Sequence, residues 1–168
     1  MVYRLERPST KHKERAFELL KPYMEVDGGI EASTGLDCFL MDDDYEGWLK
    51  NLEDQLYLPD PEYVPHETLF FMEGERIVGI VNIRHELPKR YNWVGHVGYS
   101  IHPQERRKGK GTILLKLAIN RCHELGIEPV MVSLAEHNIA SEKLVEKCGG
   151  VFLNVVELNG EVFKRYLI

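Results

Sequence analysis

The sequence predicts an α+β domain in which helices cover a mixed, mostly antiparallel sheet. Three observations lead to this fold class. Apolar, β-branched segments follow one another over residues 68–101 with turn signals between them, which predicts an antiparallel meander. A helical run and another apolar strand come next and complete a β-α-β unit. Asn159-Gly160 then separates two closing apolar segments, and this dipeptide strongly favours a hairpin turn.

The elements before the meander are one short strand and two helices. Val2 to Glu6 is a candidate first strand. Lys11 to Tyr23 and Tyr45 to Tyr57 carry apolar residues at helical spacing, so each segment predicts an amphipathic helix. Pro59 and Pro61 would end the second of these helices, because proline cannot continue the backbone hydrogen bonding.

The rest of the chain supplies most of the predicted sheet. We expect strands at 68–72, 76–87 and 93–101, a helix at 112–125, a strand at 128–134, a helix at 138–148, and closing strands at 151–158 and 162–168. The strands on either side of the helix at 112–125 should lie parallel, because a strand–helix–strand connection crosses over with a right-handed sense.

Composition and charge limit the classes of protein that fit. A chain of 168 residues can build one substantial core, so we expect a single domain over residues 1–168. The formal net charge of -6 is opposite in sign to that of nucleic-acid-binding proteins. No apolar run approaches membrane-spanning length, and Met1 to Leu20 lacks the apolar core of a signal peptide. These features predict a cytoplasmic protein that binds neither nucleic acid nor membrane.

The cysteines and histidines give no sign of a crosslink or a metal. Cys38, Cys122 and Cys148 are odd in number and show no paired spacing, so we expect reduced thiols. No spacing of cysteine or histidine matches a zinc site. The sequence therefore predicts a domain without a metal, and it allows a homodimer.

The segment "RRKGKGT", residues 106–112, concentrates positive charge and backbone freedom at a helix entrance. Its cations are Arg106, Arg107, Lys108 and Lys110. Glycines at 109 and 111 permit a tight turn and a close approach of a ligand to the backbone. The unpaired amides of the following helix carry a partial positive charge. A phosphate or pyrophosphate group suits this combination, although the same cations would also keep a helix entrance soluble.

Two common phosphate-binding loops do not fit this segment. A Walker A loop requires lysine followed by serine or threonine after its last glycine, but Thr112 and Ile113 follow Gly111. The dinucleotide fingerprint of the Rossmann fold requires a third glycine at position 114, where this chain has Leu114. The preceding strand also belongs to an antiparallel meander, so neither nucleotide-binding fold is expected.

The loop does resemble the pyrophosphate-binding motif of the GNAT N-acetyltransferase superfamily, Arg/Gln-x-x-Gly-x-Gly/Ala. Arg106, Gly109 and Gly111 match that motif. A second stretch, "NIASEKLVEKCGGVF" from Asn138 to Phe152, is similar to the same family, and so is the order of predicted elements. Within the superfamily the chain looks like a bacterial-type predicted acetyltransferase, and the resemblance is most specific between Trp93 and Phe152.

The resemblance implies that acetyl-coenzyme A (acetyl-CoA) is the cosubstrate. Its pyrophosphate would bind the loop, mainly through the amides from Lys108 to Thr112, while the pantetheine arm pairs with the strand before the loop like an added strand. Asn138 matches an asparagine that contacts the cofactor in the family, and it is equally suited to cap the following helix. The cofactor-binding residues expected on this basis are Tyr99, Ser100, Ile101, Arg106, Arg107, Lys108, Gly109, Lys110, Gly111, Thr112 and Asn138.

The implied reaction is direct attack of an amine on the thioester, for which a base must remove a proton from the ammonium form of the acceptor. Glu86 and His96 are the candidate bases, and His85 is a further one. Many members of the family place a tyrosine acid seven residues after the helix-starting asparagine, but this chain has Val145 there. Tyr99 and Tyr166 are the candidate replacements.

The acceptor would be an amine on a small molecule or a peptide. The segment from Met24 to Asp44 carries seven acidic residues and no lysine or arginine, and in the resembled fold it borders the acceptor site. An acidic rim there would attract a cationic amine, whereas the simpler interpretation is a solvated loop in which Asp43 or Asp44 caps the next helix. A non-catalytic CoA-binding or sensor module with the same fold is the alternative function, since the usual tyrosine is missing.

Overall fold

The computed structural model describes residues 2–24, 30–57, 64–87, 89 and 93–168. Single 3₁₀ turns lie at Thr10–His12 and Pro103–Glu105. The strands and α-helices of the described residues are, in chain order, β1 (Tyr3–Glu6), α1 (Lys13–Met24), α2 (Leu36–Met41), α3 (Tyr45–Tyr57), β2 (His66–Glu73), β3 (Arg76–Arg84), β4 (Val97–Ile101), α4 (Lys110–Glu124), β5 (Met131–Ala135), α5 (Ile139–Lys147), β6 (Val151–Leu158) and β7 (Glu161–Leu167).

The strands form two sheets rather than one continuous sheet. The first has the order β1-β2-β3-β4 and the second β5-β7-β6, and every pairing within them is antiparallel. The predicted α+β class and the meander are confirmed. The expected parallel neighbours β4 and β5 meet only where they begin, as the His96 amide donates to the Met131 carbonyl at 2.7 Å. Beyond that bond the strands belong to different sheets, which leaves a gap between them.

Two cores cover the two faces of the first sheet. On one face, Phe71 packs with Leu115 of α4 in a cluster that also contains Val132 of β5. Helix α4 therefore packs against strands of both sheets. On the other face, Phe70 and Trp48 of α3 lie in a second cluster, with ring centroids 5.7 Å apart. Burying each such large side chain stabilises the fold by roughly 1.5–3 kcal/mol.

Element boundaries differ from the sequence prediction at strand ends. Strand β3 ends at Arg84 because the chain bends at residues 85–86, and β4 begins only at Val97. Helix α2 was not predicted, since its six residues are too short to show a helical period. The closing hairpin is confirmed: Asn159 and Gly160 have φ values of 51° and 83°, as a type I′ turn requires.

The described residues contain no helix with both the length and the apolar composition needed to cross a bilayer.

Candidate active site

The gap between β4 and β5 exposes one edge of β4. The Arg84 amide donates to the His96 carbonyl at 2.7 Å, and the His102 amide donates to the Val78 carbonyl at 3.0 Å, so these backbone groups at either end of β4 point toward β3. Because hydrogen-bonding direction alternates along an antiparallel strand, Val97, Tyr99 and Ile101 direct their backbone groups away from β3 and toward the gap. An extended ligand therefore has a free strand edge with which to pair.

Tyr99, Ser100 and Ile101, the strand residues predicted to contact the cofactor, differ in which of their groups face the gap. Tyr99 has its backbone directed into it. Ser100 lies opposite Ile80 in the β3–β4 register, and its Oγ donates to the Glu31 carbonyl at 2.9 Å. The Ile101 carbonyl accepts from the Tyr23 hydroxyl at 2.8 Å, so this oxygen is already engaged within the protein.

The glycine-rich loop ends in a helix whose first amides are free. Gly109 precedes α4 with a φ of 77°, in the left-handed region that favours glycine. The Ile113 amide donates to the Gly109 carbonyl at 3.4 Å as the first helical bond. The amides of Lys110, Gly111 and Thr112 therefore lack helical acceptors, and they point out of the helix N-terminus as anion donors.

Two of the four loop cations face carboxylates. The Lys110 side chain is only 7% exposed, and its Nζ lies 2.6 Å from Glu105 Oε2 and 2.7 Å from Glu73 Oε2. Lys108 Nζ contacts the same Glu105 oxygen at 3.1 Å. Hydrogen bonds from Lys110 and Arg76 lower the pKa of Glu105 to about 2. The positive field at the loop is therefore weaker than four free cations would give.

The two arginines of the loop have different surroundings. Arg106 Nε donates to the Ile101 carbonyl at 3.0 Å, and its guanidinium lies 5.8 Å from the centre of the Tyr23 ring. Arg106 thus fastens the loop to the end of β4 and to α1. Arg107 is exposed and makes no ion pair with another described residue, so its charge is available to an anion.

Gly111 has a packing role that the sequence interpretation missed. A Cβ atom at this position would collide with the Leu144 Cδ1 of α5, whereas one at Gly109 would meet nothing within 4 Å. The absence of a side chain at Gly111 therefore lets α5 pack closely against the start of α4, in addition to clearing the helix N-terminus.

The start of α5 contacts Tyr99 of β4 through Ser141. Asn138 caps the helix, as its Oδ1 accepts from the Ser141 amide at 3.1 Å. The Tyr99 hydroxyl lies 2.7 Å from Ser141 Oγ, and this contact joins β4 to α5. Burial raises the pKa of the Tyr99 hydroxyl, and the hydrogen bond with Ser141 partly offsets that rise. Nothing in the sequence pattern singles out Ser141, because its partner lies on a strand 42 residues away.

The other candidate acid is engaged elsewhere. The Tyr166 hydroxyl donates to Glu142 Oε1 at 2.7 Å, and burial together with that bond raises the pKa of Tyr166 to about 12. Val145, at the position where the resembled family often has tyrosine, is fully buried in the core.

The candidate bases lie near the closed end of the gap, where β4 and β5 begin. His96 Nδ1 accepts from the Met131 amide at 2.9 Å, so the neutral ring carries its proton on Nε2. Burial and the nearby Arg84 charge lower the pKa of His96. Glu86 is exposed at the bend after β3. His85 Nε2 is buried and has no hydrogen-bond partner among the described residues.

The acidic segment has structural partners. Asp44 Oδ1 accepts from the Gly47 amide at 2.9 Å, which confirms the predicted cap of α3. Asp43 Oδ1 lies 2.7 Å from Lys13 Nζ. The acidic residues at 25 and 27 lie outside the described residues.

The described residues contain no group of three or more His, Cys, Asp or Glu side chains arranged to hold a metal ion. All three cysteines are free thiols, with Cys122 buried.

Comparisons with known proteins agree with this arrangement. The family model described as "Acetyltransferase (GNAT) family" matches residues 35–150. A Bacillus subtilis protein named "Putative phosphinothricin acetyltransferase YwnH" is 38% identical over 80 residues. That match covers 45% of this chain and 47% of YwnH, so the chain spans about half the length of this curated relative.

Solved structures share the fold along the whole chain. A structure of yncA from Salmonella typhimurium with its cofactor acetyl-CoA superposes with a TM-score of 0.62 at 14% identity, covering 100% of this chain and 94% of yncA. A GNAT-family acetyltransferase from Streptococcus pneumoniae gives 0.64 at 22% identity and 99% coverage of both chains. RimJ from Mycobacterium smegmatis, in complex with CoA-disulfide, gives 0.73 at 13% identity, with coverage of 99% and 81%.

Proposed function

This chain belongs to the acetyltransferase (GNAT) family, and from that premise we propose that it transfers the acetyl group of acetyl-CoA to an amine. One observation carries the proposal. The free edge of β4 runs beside an open gap and leads to a helix N-terminus with three free amides, at Lys110, Gly111 and Thr112. A ligand with an amide-rich arm and a pyrophosphate suits this succession of a strand edge and an anion site.

The cofactor would be held mainly by backbone groups. We propose that the amides of Lys110, Gly111 and Thr112 bind the pyrophosphate and that Arg107 adds side-chain charge. Tyr99 would pair with the pantetheine arm through its backbone. Asn138 Oδ1 caps α5, but its Nδ2 group remains available to a ligand. Acetyl-CoA supplies the thioester carbonyl that the acceptor attacks.

Transfer forms a carbon–nitrogen bond and breaks a carbon–sulfur bond. A base takes one proton from the ammonium form, and the neutral amine nitrogen attacks the thioester carbonyl. The tetrahedral species loses a second proton from nitrogen and collapses, and CoA leaves as a thiolate that takes up a proton, so that one proton is released overall. We propose Glu86, acting through water, as the base. The hydrogen bond that His96 Nδ1 accepts from Met131 leaves the neutral ring without a free lone pair, which favours Glu86 over His96.

Tyr99 is our proposed donor to the departing thiolate. Its hydroxyl lies beside the gap, and Ser141 Oγ at 2.7 Å supplies a second hydroxyl that can pass a proton on. An amide of the gap-facing edge of β4, at Val97 or Tyr99, is the proposed donor to the oxyanion.

The alternative function is a module that binds CoA without catalysing transfer. Val145 favours it, since no hydroxyl projects from that position of α5. Two measurements separate the functions: calorimetric titration with acetyl-CoA, and thiol release over a panel of amines. Binding together with amine-dependent thiol release supports the transferase. Binding with thiol release no faster than acetyl-CoA hydrolysis, for every amine, supports the sensor module instead. An absence of binding would overturn both functions.

We further propose that two copies of the chain associate along β6. This strand is the outer edge of its sheet, and Val151 and Phe152 are 69% and 54% exposed on it. An edge strand with exposed apolar residues can pair with its own copy about a two-fold axis. Light scattering should give a dimer for the natural chain and a monomer for Val155→Lys, which places a charge on that edge.

The free thiols support a cytoplasmic location.

A further inference from the structure

Arg84 stands between two histidines on the face of the sheet opposite α4. It lies directly across from His66 in the β2–β3 register, and its amide donates to the His96 carbonyl on the other side. Residues that oppose one another across antiparallel strands project from the same face. Asn82, two residues before Arg84, contacts Thr68 on that face at 3.0 Å. His66 of β2, Arg84 of β3 and His96, which immediately precedes β4, therefore form a row across the first sheet.

No carboxylate neutralises Arg84 within the described part of the chain. The one hydrogen bond of its guanidinium to a described residue runs from Nη1 to the Gly95 carbonyl at 3.1 Å. Burial lowers the pKa of the guanidinium, because desolvation disfavours the charged form, yet an arginine in a protein remains protonated. A partly desolvated charge without a carboxylate partner is costly, so the fold maintains an unfavourable group here.

Arg121, on the opposite face, is an arginine that forms a structural ion pair. Its Nε and Nη2 atoms contact the two Glu67 oxygens at 2.6 and 3.1 Å, in a two-pronged ion pair. Glu67 is only one residue from His66, but its side chain projects to the α4 face, away from Arg84. Among the described residues, a buried carboxylate thus pairs with Arg121 and none pairs with Arg84.

His85 adds a further unpaired polar group beside this row. Its backbone amide donates to the Pro65 carbonyl at 2.8 Å, and its buried Nε2 has no partner in the described residues. Both His85 and Arg84 lower the pKa of His66, which already falls because of burial, so the basic groups are close enough to interact. The row and His85 together form the Arg84 cluster: His66, Arg84, His85 and His96.

The Arg84 cluster lies beside the closed end of the gap. Arg84 binds the Gly95 carbonyl, and a Cβ atom at Gly95 would be 2.5 Å from the Met131 carbonyl of β5. This close approach marks the point from which β4 and β5 separate. An acceptor amine that attacks a thioester in the gap would therefore have its neighbouring substituents near Arg84.

We infer that the Arg84 cluster is a subsite for an oxyanion on the acceptor, so that the substrate is an amine carrying a carboxylate or phosphate group rather than a polyamine. This inference rests on the proposed transfer to an amine. The guanidinium fork matches the two oxygens of a carboxylate or phosphate, and a bound anion would neutralise a charge that no described carboxylate pairs. A polycation would be repelled by the Arg84 charge.

Histidine ring signals test the subsite without requiring turnover. The full chain is saturated with CoA, so that the glycine-rich loop is occupied, and is titrated with sodium acetate and separately with inorganic phosphate while the ring protons are followed by NMR. We expect saturable shifts of the His66, His85 and His96 signals. Tighter saturation by acetate would assign a carboxylate, and tighter saturation by phosphate a phosphate group.

Variants separate the subsite from general charge effects. Arg84→Gln should weaken the saturation at least about tenfold, the effect expected when a charge-assisted pair is lost. Arg84→Lys, which keeps the charge without the fork, should weaken it less. Arg15→Gln removes an exposed cation near the turn at the opposite end of β3 and should leave the titration unchanged. Thermal melting and CoA titration show whether each variant is folded.

The outcomes distinguish this inference from the proposed function. If acetate and phosphate leave the histidine signals unmoved, or move them equally in wild type and a folded Arg84→Gln protein, the subsite is wrong even when thiol release with amines is observed. If the anions bind through Arg84 but no amine supports thiol release, the subsite stands and the transferase function fails.

Discussion

Lys110 Nζ and Glu105 Oε2 lie 2.6 Å apart across the glycine-rich loop, residues 106–112, with side chains 7% and 8% exposed. Burial alone would lower the pKa of Lys110, but the hydrogen bonds with Glu105 and Glu73 outweigh it and raise that pKa. The pair closes the span between the 3₁₀ turn and α4, so it fixes the shape of the loop rather than contributing free charge to a ligand.

Replacing Lys110 with methionine should therefore destabilise the loop. The change keeps the length of the side chain but removes one partner of a buried pair, and we expect a loss of about 2 kcal/mol in the free energy of unfolding. Acetyl-CoA affinity should fall with it, because the free amides would no longer be held in place. Denaturant unfolding and calorimetric titration measure the two effects.

Lys108→Met is the matched control, since Lys108 contacts the same carboxylate but is 55% exposed. An exposed pair of this kind contributes at most about 1 kcal/mol, so its loss should be small.

The stability that the lowered pKa of Glu105 gives the folded protein is present above the unfolded pKa of Glu105, and it is lost as pH falls from about 4.5 toward about 2. The difference in melting temperature between wild type and Lys110→Met should narrow over that range. A constant difference down to pH 2 would contradict the ion-pair account.

Substitution of Gly109, with Gly126 as the control, separates the effect of backbone strain on stability from the effect on acetyl-CoA binding. Gly109 and Gly126 both have a φ of 77° and open space where a Cβ atom would lie, but Gly126 is at the far end of α4. Alanine at either position should lower the free energy of unfolding by about 1–2 kcal/mol. Gly109→Ala alone should weaken acetyl-CoA binding, by about tenfold or 1.4 kcal/mol. Equal affinities of the two variants, measured by calorimetry, would remove the loop from the binding site.

Local patterns in the sequence predicted the features that depend on near neighbours. The turn at Asn159-Gly160 and the cap at Asn138 each involve residues within a few positions of one another, so the local sequence is sufficient to predict them. The Asp44 cap of α3 is predictable for the same reason. The glycine-rich loop stands out because its cations, glycines and helix are contiguous.

Side-chain partners distant in sequence could not be predicted in this way. The basic character of the loop predicts Lys110 as a cofactor ligand, whereas its position against Glu73 depends on the register of β2 against β3. The contact of Tyr99 with Ser141 depends on how α5 packs beside β4. Glu67 pairs with Arg121 and not with Arg84, because side chains alternate between the two faces of β2.

The hydroxyl of Tyr99 should affect the chemical step and not the binding of cofactor. If it donates to the departing thiolate, Tyr99→Phe should lower kcat by about tenfold to a hundredfold while acetyl-CoA affinity stays within about twofold. This effect lies at or below the lower end of the roughly 10²- to 10⁴-fold of general acid catalysis, because a thiolate is a weakly basic leaving group. Ser141→Ala should have a smaller effect of the same kind if Ser141 passes the proton on. Steady-state thiol release and calorimetry give the two quantities.

Tyr166→Phe is the control for removal of a buried tyrosine hydroxyl. Its hydroxyl bonds Glu142 of α5, so its loss should lower stability and leave kcat nearly unchanged. Equal kcat values for Tyr99→Phe and wild type would show that the thiolate leaves unaided or with help from water.

The pH dependence of the rate should distinguish the two candidate bases. Glu86→Gln and His96→Gln keep similar side-chain volumes while removing basicity. We expect Glu86→Gln to lower kcat at least about tenfold without weakening acetyl-CoA binding, because a positioned base contributes about 10²- to 10⁴-fold. The measurement is kcat/KM against pH, with two acceptor amines of different pKa.

For His96→Gln we expect the opposite result to that for Glu86→Gln. Its lowered pKa keeps the ring neutral near pH 7, so an acidic limb caused by His96 would lie below its ordinary value of 6.5 and would vanish in His96→Gln. We expect that variant instead to retain a limb, because the Met131 amide already occupies Nδ1 and the proton on Nε2 makes the neutral ring a donor. Loss of the limb in His96→Gln alone would assign the base to His96 and require the Met131 bond to open during turnover. A limb that moves with the pKa of the amine in wild type and in both variants would mean that the acceptor loses its proton before it binds, with no dedicated base in the protein.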